Sequence, residues 1–121
     1  MKVNPKWRYL QEIAKPYALD ILEELQKKPM RFSELKKICL SQKTLTIRLH
    51  ELEEVNAIHT IIDKPKKQRV KVFYSLTQKG KQTLELAFQF IKIYFFSLIL
   101  LLIKRHILYL FRQMLLLNFR I

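Results

Sequence analysis

The sequence SQKTLTIRLHELEEV, residues 41–55, has the pattern of a short amphipathic helix. Ser41 is a favourable N-cap residue. Asn56 is expected to end the helix, because asparagine tolerates the left-handed conformation better than most residues other than glycine. Apolar residues recur at the spacing of successive helical turns and predict one face in the core: Leu45, Leu49, Leu52 and Val55.

Three shorter helices are predicted before this stretch. The first starts at Asn4-Pro5, a favourable N-cap followed by a proline that fits the first helical turn. Pro29 stops the second, and Ser33 is expected to cap the third. Residues 30–32 between them can pair as a small strand. The apolar faces of the three helices are, in chain order, Trp7, Leu10 and Ala14, then Ala18, Ile21, Leu22 and Leu25, then Leu35, Ile38 and Cys39.

Two runs with strand character follow, residues 58–62 and 70–76, and apolar residues alternate with others in the second. A polar turn, residues 63–69, lies between them. Thr77 then caps a long final helix. The predicted fold is mainly α with a small β-hairpin (α+β), which is the plan of a winged helix-turn-helix with a long apolar C-terminal helix. We expect an N-terminal helix in residues 1–15, a winged-helix domain in 16–90 and an apolar helical tail in 91–121.

The charge balance points to a polyanionic partner. The chain has 121 residues, with 23 Lys and Arg against 10 Asp and Glu, and a net charge of +13. Like charges in such an excess repel one another in a compact domain. The excess therefore favours binding to a polyanion, either nucleic acid or an anionic membrane surface. The single cysteine, and an N-terminal segment without the apolar run of a signal peptide, fit a protein of the cytoplasm.

Four short sequence motifs resemble, in order and at fitting spacing, those of the HxlR-type family of winged-helix regulators within the wider MarR-like group. They are RFSEL (31–35), SQKTLTIRL (41–49), ELEE (51–54) and YSLTQKG (74–80). The resemblance covers about residues 17–90. It implies a transcriptional regulator that binds double-stranded DNA as a dimer, with the third winged-domain helix in the major groove and the hairpin wing on the backbone.

The chain also departs from this family. Asn56 and Lys28-Pro29 stand where the family usually has glycine, although neither change forbids the fold. Some family members sense oxidants through an N-terminal cysteine, and this chain has none there, so that chemistry is not carried over.

The helix of residues 41–55 supports the same role on physical grounds. If its leucines face the core, the opposite face combines amide, hydroxyl, cationic and aliphatic groups, which suit the edges of bases. The free N–H groups and hydroxyls at its N-terminus suit phosphate. We predict base contacts from Gln42, Lys43, Thr46, Ile47 and His50, and backbone contacts from Ser41 and Thr44. A merely solvated face is the alternative, and Arg48 can either pair with a nearby glutamate or reach phosphate.

The turn between the two strands is strongly basic. Five cations fall in eight residues with no acidic residue among them, namely Lys64, Lys66, Lys67, Arg69 and Lys71. On a protruding hairpin such residues are predicted to contact the DNA backbone, which adds affinity without sequence information. The alternative is a charge run that only increases solubility.

The sequence contains no pattern typical of an enzyme or of a metal site. His50, His59 and His106 are isolated, and Cys39 is expected in the core rather than as a nucleophile. A glycine-rich phosphate loop is excluded because Gly80 is the only glycine. We therefore expect no catalytic residues, no metal and no cofactor. The sequence does not identify a small-molecule effector.

The tail is apolar on nearly every side. Residues 84–103 read LELAFQFIKIYFFSLILLLI, and Lys104-Arg105 follows. A helix of this kind must be covered all round. One cover is a second subunit, in a homodimer formed through terminal helices that include the helix of Trp7. The other is a membrane contact through residues 84–103, although the uncharged run is shorter than the roughly 20 residues of a full span. A tail that does not fold natively is the remaining alternative.

Overall fold

The computed structural model describes residues 4–67 and 69–118. The elements follow in the predicted order, which confirms a mainly α fold with a small hairpin. They are α1 (Pro5–Ile13), α2 (Ala18–Lys27), α3 (Phe32–Leu35), α4 (Gln42–Glu54), β1 (Ile58–Asp63), β2 (Lys71–Leu76) and α5 (Gln78–Asn118). Gln68 in the predicted turn, and the outer ends of the predicted N-terminal and C-terminal segments, lie outside the described residues.

Helix α1 starts where the sequence predicts. The Asn4 side chain accepts a hydrogen bond from the backbone N–H of Lys6 at 3.0 Å, and Pro5 occupies the first helical position. The predicted apolar face does not pack in the core, however, because Trp7 and Leu10 are exposed. The core instead receives Ile13 from this helix, with Tyr9 packed against it.

The second and third helices contain two local departures. Tyr17 has a left-handed backbone, with φ of 70°, at the N-cap of α2. The expected cap at Ser33 is wrong, because α3 begins at Phe32 with Arg31 as N-cap and without a side-chain cap. Arg31 has an extended backbone, with φ of −84° and ψ of 161°, so α3 begins two residues before the position that a Ser33 cap would give.

The core of the first unit is formed by apolar residues from every element up to the start of α5. Its fully buried side chains include Ile21, Leu22, Leu35, Leu45, Leu52 and Ile58. Burial of each such side chain stabilises the fold by about 1.5–3 kcal/mol. The face of α4 predicted to lie in the core is therefore confirmed: Leu45, Leu49 and Leu52 are all buried.

Strands β1 and β2 form an antiparallel hairpin whose register runs from Ile58 opposite Leu76 to Asp63 opposite Lys71. The other edge of β2 pairs with Met30, which exchanges two backbone hydrogen bonds with Tyr74, at 3.0 and 2.7 Å. Of the predicted small strand at residues 30–32, only Met30 pairs, as a single bridge, because Phe32 already begins α3.

The passage from α4 to β1 and the start of α5 are packed tightly together. Asn56 is left-handed, with φ of 62°, as expected for the residue that ends α4. The Thr77 hydroxyl accepts a hydrogen bond from the N–H of Gly80 at 3.0 Å and caps α5. A Cβ on Gly80 would lie 2.2 Å from the carbonyl oxygen of Ala57, so only glycine allows this approach.

The chain divides into two compact units, Met1–Glu85 and Leu86–Ile121. In the second unit every described residue from Phe88 onward is exposed. Helix α5 is long and apolar enough to cross a membrane by the criteria of length and composition. The domain bounds expected from the sequence stay predictions.

Candidate nucleic-acid interface

Helix α4 presents an exposed face opposite its core leucines. All five residues predicted to contact bases are exposed: Gln42, Lys43, Thr46, Ile47 and His50. Ile47 has 44 % of its surface accessible although it is aliphatic. Because Leu45, Leu49 and Leu52 fix the rotation of the helix, these residues share one side of α4.

Two of these residues already have partners within the chain. The Thr46 hydroxyl donates to the carbonyl oxygen of Gln42 at 2.8 Å, so that its methyl group is turned away from the helix backbone. His50 Nε2 lies 2.9 Å from Glu54 Oε1, and Glu54 also accepts from Arg8 Nη2 at 2.9 Å. A contact between His50 and a base would therefore have to compete with Glu54.

The N-terminus of α4 is capped as predicted. Ser41 Oγ accepts hydrogen bonds from the backbone N–H of Thr44 at 3.3 Å and from its hydroxyl at 3.2 Å. The Ser41 hydroxyl keeps its own proton available for an acceptor such as phosphate. Thr44 is half-buried and uses its hydroxyl proton on Ser41, so its direct contact with phosphate is limited.

Arg48 lies on the inner flank of α4, where it fastens this helix to the chain before α2. Its Nε donates to the carbonyl oxygen of Pro16 at 2.8 Å, and its Nη1 donates to Glu51 Oε1 at 2.9 Å. The side chain is only 17 % exposed. The structure therefore favours the pairing alternative over a phosphate contact for Arg48.

A cluster of four charged side chains joins α1 to α4. Lys15 contacts both Glu12, at 2.8 Å, and Glu51, while Glu51 also holds Arg48. A hydrogen bond with the Glu12 carboxyl, and then the Lys15 and Arg48 cations, keep the pKa of the Glu51 carboxyl below its usual value of 4.5. Glu12 and Glu51 in turn raise the pKa of the Lys15 ammonium. Sequence reasoning missed this cluster, because its members are separated by up to 39 positions and share no periodic pattern.

The wing, defined as residues 63–71, carries predicted cations that are largely exposed to solvent. Lys64, Lys66, Lys67 and Arg69 are exposed, and Lys71 is half-buried at the start of β2. None of the ion pairs formed among residues 4–67 and 69–118 involves these five side chains. Their charge is therefore available to a partner.

The hairpin that ends in the wing lies beside the exposed flank of α4. A cleft of about 250 Å³ separates Thr46 and His50 of α4 from Tyr74 of β2. Thr60 of β1 donates to Glu53 Oε1 of α4 at 3.4 Å. Burial, and then the negative charge of Glu53, raise the pKa of the Tyr74 hydroxyl, which is thus neutral at physiological pH. The hairpin whose turn carries the wing cations thus packs beside α4, the other element predicted to contact DNA.

Other functional chemistry has little support in the part of the chain that the structure describes. No group of three or more His, Cys, Asp or Glu side chains is placed there to hold a metal ion. Cys39 is buried, as predicted, and its Sγ donates to the carbonyl oxygen of Ser41 at 3.6 Å.

The sequence pattern of the HxlR-like helix-turn-helix family matches residues 12–94. The chain belongs to this family. The HxlR family consists of transcriptional regulators rather than enzymes, which confirms the resemblance and the non-enzymatic expectation. No protein of curated function matches the chain by sequence alone.

Solved structures of HxlR regulators share the fold. The reduced form of the transcriptional regulator YodB from B. subtilis is 30% identical, with a TM-score of 0.63 over 77% of this chain and 91% of that chain. Diamide-treated YodB is also 30% identical, with a TM-score of 0.61 over 78% and 93%. The oxidized form of the redox regulator HypR is 29% identical, with a TM-score of 0.61 over 78% and 96%. The expected winged helix-turn-helix is thereby confirmed.

The sequence motifs that resemble the family have clear structural roles in this chain. RFSEL (31–35) supplies the turn and the helix α3 that precede α4, and SQKTLTIRL (41–49) supplies the cap, the core leucines and the exposed face. YSLTQKG (74–80) ends β2 and starts α5, where Gly80 approaches Ala57.

Proposed function

We propose that the protein binds double-stranded DNA sequence-specifically, with the exposed face of α4 in the major groove and the wing on the adjacent phosphates. The observations that carry the proposal are the position of this face beside the hairpin that ends in the wing, and the wing cations, which the described residues leave unpaired. Lys43 can donate to guanine, and the amide of Gln42 can bridge adenine. Ile47 can make an apolar contact with the thymine methyl group. Thr46 adds its methyl group to the same surface.

We further propose that the regulator acts as a homodimer in which the terminal helix α1 contributes to the interface. The support is the apolar side of α1, on which Trp7 and Leu10 are exposed, together with the exposed Ala14 at its C-cap. Two-fold symmetry would place two α4 helices on half-sites about one turn of DNA apart, so a palindromic operator is expected. Binding to chromosomal DNA also requires that the winged domain faces the cytoplasm.

The test is selection of bound duplexes from a random pool, preceded by a mobility shift at low salt. We expect retardation of random duplex at micromolar protein, and then enrichment of a two-fold symmetric sequence with half-sites about 10 base pairs apart. Absence of retardation would contradict DNA binding and favour a winged-helix module that binds protein. Retardation without enrichment of any sequence would contradict the assignment of α4 to base contacts.

A further inference from the structure

The second unit, as far as it is described, is a helix whose side chains are exposed all round from Phe88 onward. From Phe88 to Asn118 every residue is exposed, and the run from Leu98 to Ile103 consists of six consecutive aliphatic residues. Successive residues of a helix point about 100° apart, so these six side chains face every direction. The winged domain is the other compact unit, and among the described residues Leu84 is the last along the chain that belongs to its core.

The distribution of apolar residues around the helix distinguishes between the two possible covers. A partner helix in a coiled coil covers one stripe and leaves the opposite face in water. Here the opposite face is equally apolar, since residues 93–103 contain no charge and only Ser97 and the hydroxyl of Tyr94 are polar. A lipid bilayer covers all faces at once, so it matches this surface better than a second copy does.

The charges at the two ends of this run fit lipid head groups. The run of 11 residues extends for about 16 Å between Lys92 and Lys104-Arg105. Long basic side chains can leave their methylene stems in the apolar layer while the charge reaches the interface, and a bilayer can thin locally around a short apolar stretch. No acidic residue follows Glu85, which favours anionic phospholipids.

We propose that residues 86–117 anchor the protein in an anionic phospholipid bilayer. Residues 93–103 lie in the hydrocarbon layer, and Lys92, Lys104 and Arg105 contact the phosphates of the head groups. Tyr94 is placed at the start of the apolar run, where aromatic side chains prefer the interface. The proposal does not depend on DNA binding by the winged domain.

Flotation of the full chain tests the proposal directly. The protein is synthesised cell-free in the presence of vesicles of phosphatidylglycerol and phosphatidylcholine, floated through a sucrose gradient and washed with alkaline carbonate. We expect it to float and to resist the wash, with weaker flotation on phosphatidylcholine alone. A protein that stays in the dense fractions as a soluble dimer or an aggregate would overturn the anchor. Equal flotation on both vesicle types would overturn the role of the basic residues.

Two variants with equal added charge separate insertion from surface attraction. Leu100→Lys with Leu101→Lys places two cations in the apolar run, whereas Gln89→Lys with Gln113→Lys places two at polar positions of the same helix. The first pair should lower the ratio of vesicle-bound to free protein on the order of 100-fold or more. The control pair should float like the wild type. Equal flotation of both pairs would overturn insertion.

A fluorescence measurement provides an independent readout if a variant does not fold. In a Cys39→Ser chain, a polarity-sensitive dye is attached through Leu100→Cys or, for comparison, through Gln113→Cys. Addition of anionic vesicles should shift the emission of the dye at position 100 to shorter wavelength more strongly than that at position 113. An equal or absent shift at both positions would overturn the placement of residues 93–103 in the hydrocarbon layer.

Discussion

Arg48 donates a hydrogen bond from its Nε to the carbonyl oxygen of Pro16, at 2.8 Å, and so fixes α4 against the turn that precedes α2. Pro16 directly precedes Tyr17, whose backbone is left-handed. The exposed face of α4 is thus oriented by its core leucines and by a guanidinium on the inner flank. Arg48 is a positioning residue in this account, not a contact to DNA.

Replacement of Arg48 by alanine tests that role. Arg48→Ala should lower the free energy of unfolding by about 1–2 kcal/mol, because it leaves the Pro16 carbonyl without its side-chain donor and removes one of the two cations that pair with Glu51. DNA affinity should fall while its dependence on salt stays as in the wild type. Urea unfolding and a salt series of binding isotherms measure both effects. A loss of about one unit in the salt slope would instead identify Arg48 as a phosphate contact.

The wing should supply affinity through its charge alone. Lys66→Ala with Lys67→Ala should reduce the slope of log K against log salt by about 2, because each phosphate contact contributes about 0.9. The matched control is Lys27→Ala with Lys81→Ala, which removes the same charge from exposed positions outside α4 and the wing. An unchanged slope in the wing variant, or an equal decrease in the control, would contradict the assignment.

Ile47 should determine base preference rather than charge-dependent affinity. Ile47→Ala removes an exposed aliphatic group from the middle of α4 and should relax discrimination at one position of each half-site by about 1–3 kcal/mol. The salt slope should not change. Binding to a panel of single-base operator variants measures the effect. The same sequence preference in wild type and variant would show that Ile47 only faces solvent.

Gly80 should tolerate no larger residue. Gly80→Ala places a Cβ 2.2 Å from the carbonyl oxygen of Ala57, a backbone atom that cannot rotate away. The free energy of unfolding should fall by about 1–3 kcal/mol, although alanine favours helices more than glycine does. Urea denaturation measures it, with Gln82→Ala, an exposed position of the same helix, as control. Greater stability of Gly80→Ala would contradict the tight packing.

The charged cluster between α1 and α4 should make stability depend on acid pH. The pKa of Glu51 is lowered in the folded protein, so its contribution is present above its usual value of 4.5 and is lost as pH falls below that value toward the lowered pKa. Glu51→Gln should cost about 1 kcal/mol at neutral pH and flatten the decline of stability below pH 4.5. Unfolding curves between pH 3 and 7, a range of about four units around this window, measure it. If the stability of wild type and variant declines in parallel with falling pH, Glu51 is not a cause of the acid dependence.

Much of this architecture follows from local sequence patterns. The caps at Asn4, Ser41 and Thr77 and the left-handed Asn56 result from short-range chemistry, which the sequence displays directly. The core face of α4 follows from helical periodicity in the same way. These features needed no knowledge of distant contacts.

The errors and omissions concern contacts between residues distant in the chain. The periodicity of α1 fits either of two faces, and only the position of Tyr9 against Lys79 and Thr83 selects the one that packs. The role of Arg48 depends on a carbonyl 32 positions away. The left-handed Tyr17 could not be predicted, because tyrosine has no preference for that conformation and tertiary packing imposes it.

A hydroxyl-radical footprint on the selected operator, compared between the wild type and Lys66→Ala with Lys67→Ala, tests the placement of α4 and the wing most directly. The account predicts two protected half-sites for the wild type, each with flanking protection of the backbone from the wing. In the variant the flanking protection should disappear while protection of the half-sites remains. Identical footprints for both proteins would contradict the proposal that the wing lies on the phosphates beside α4.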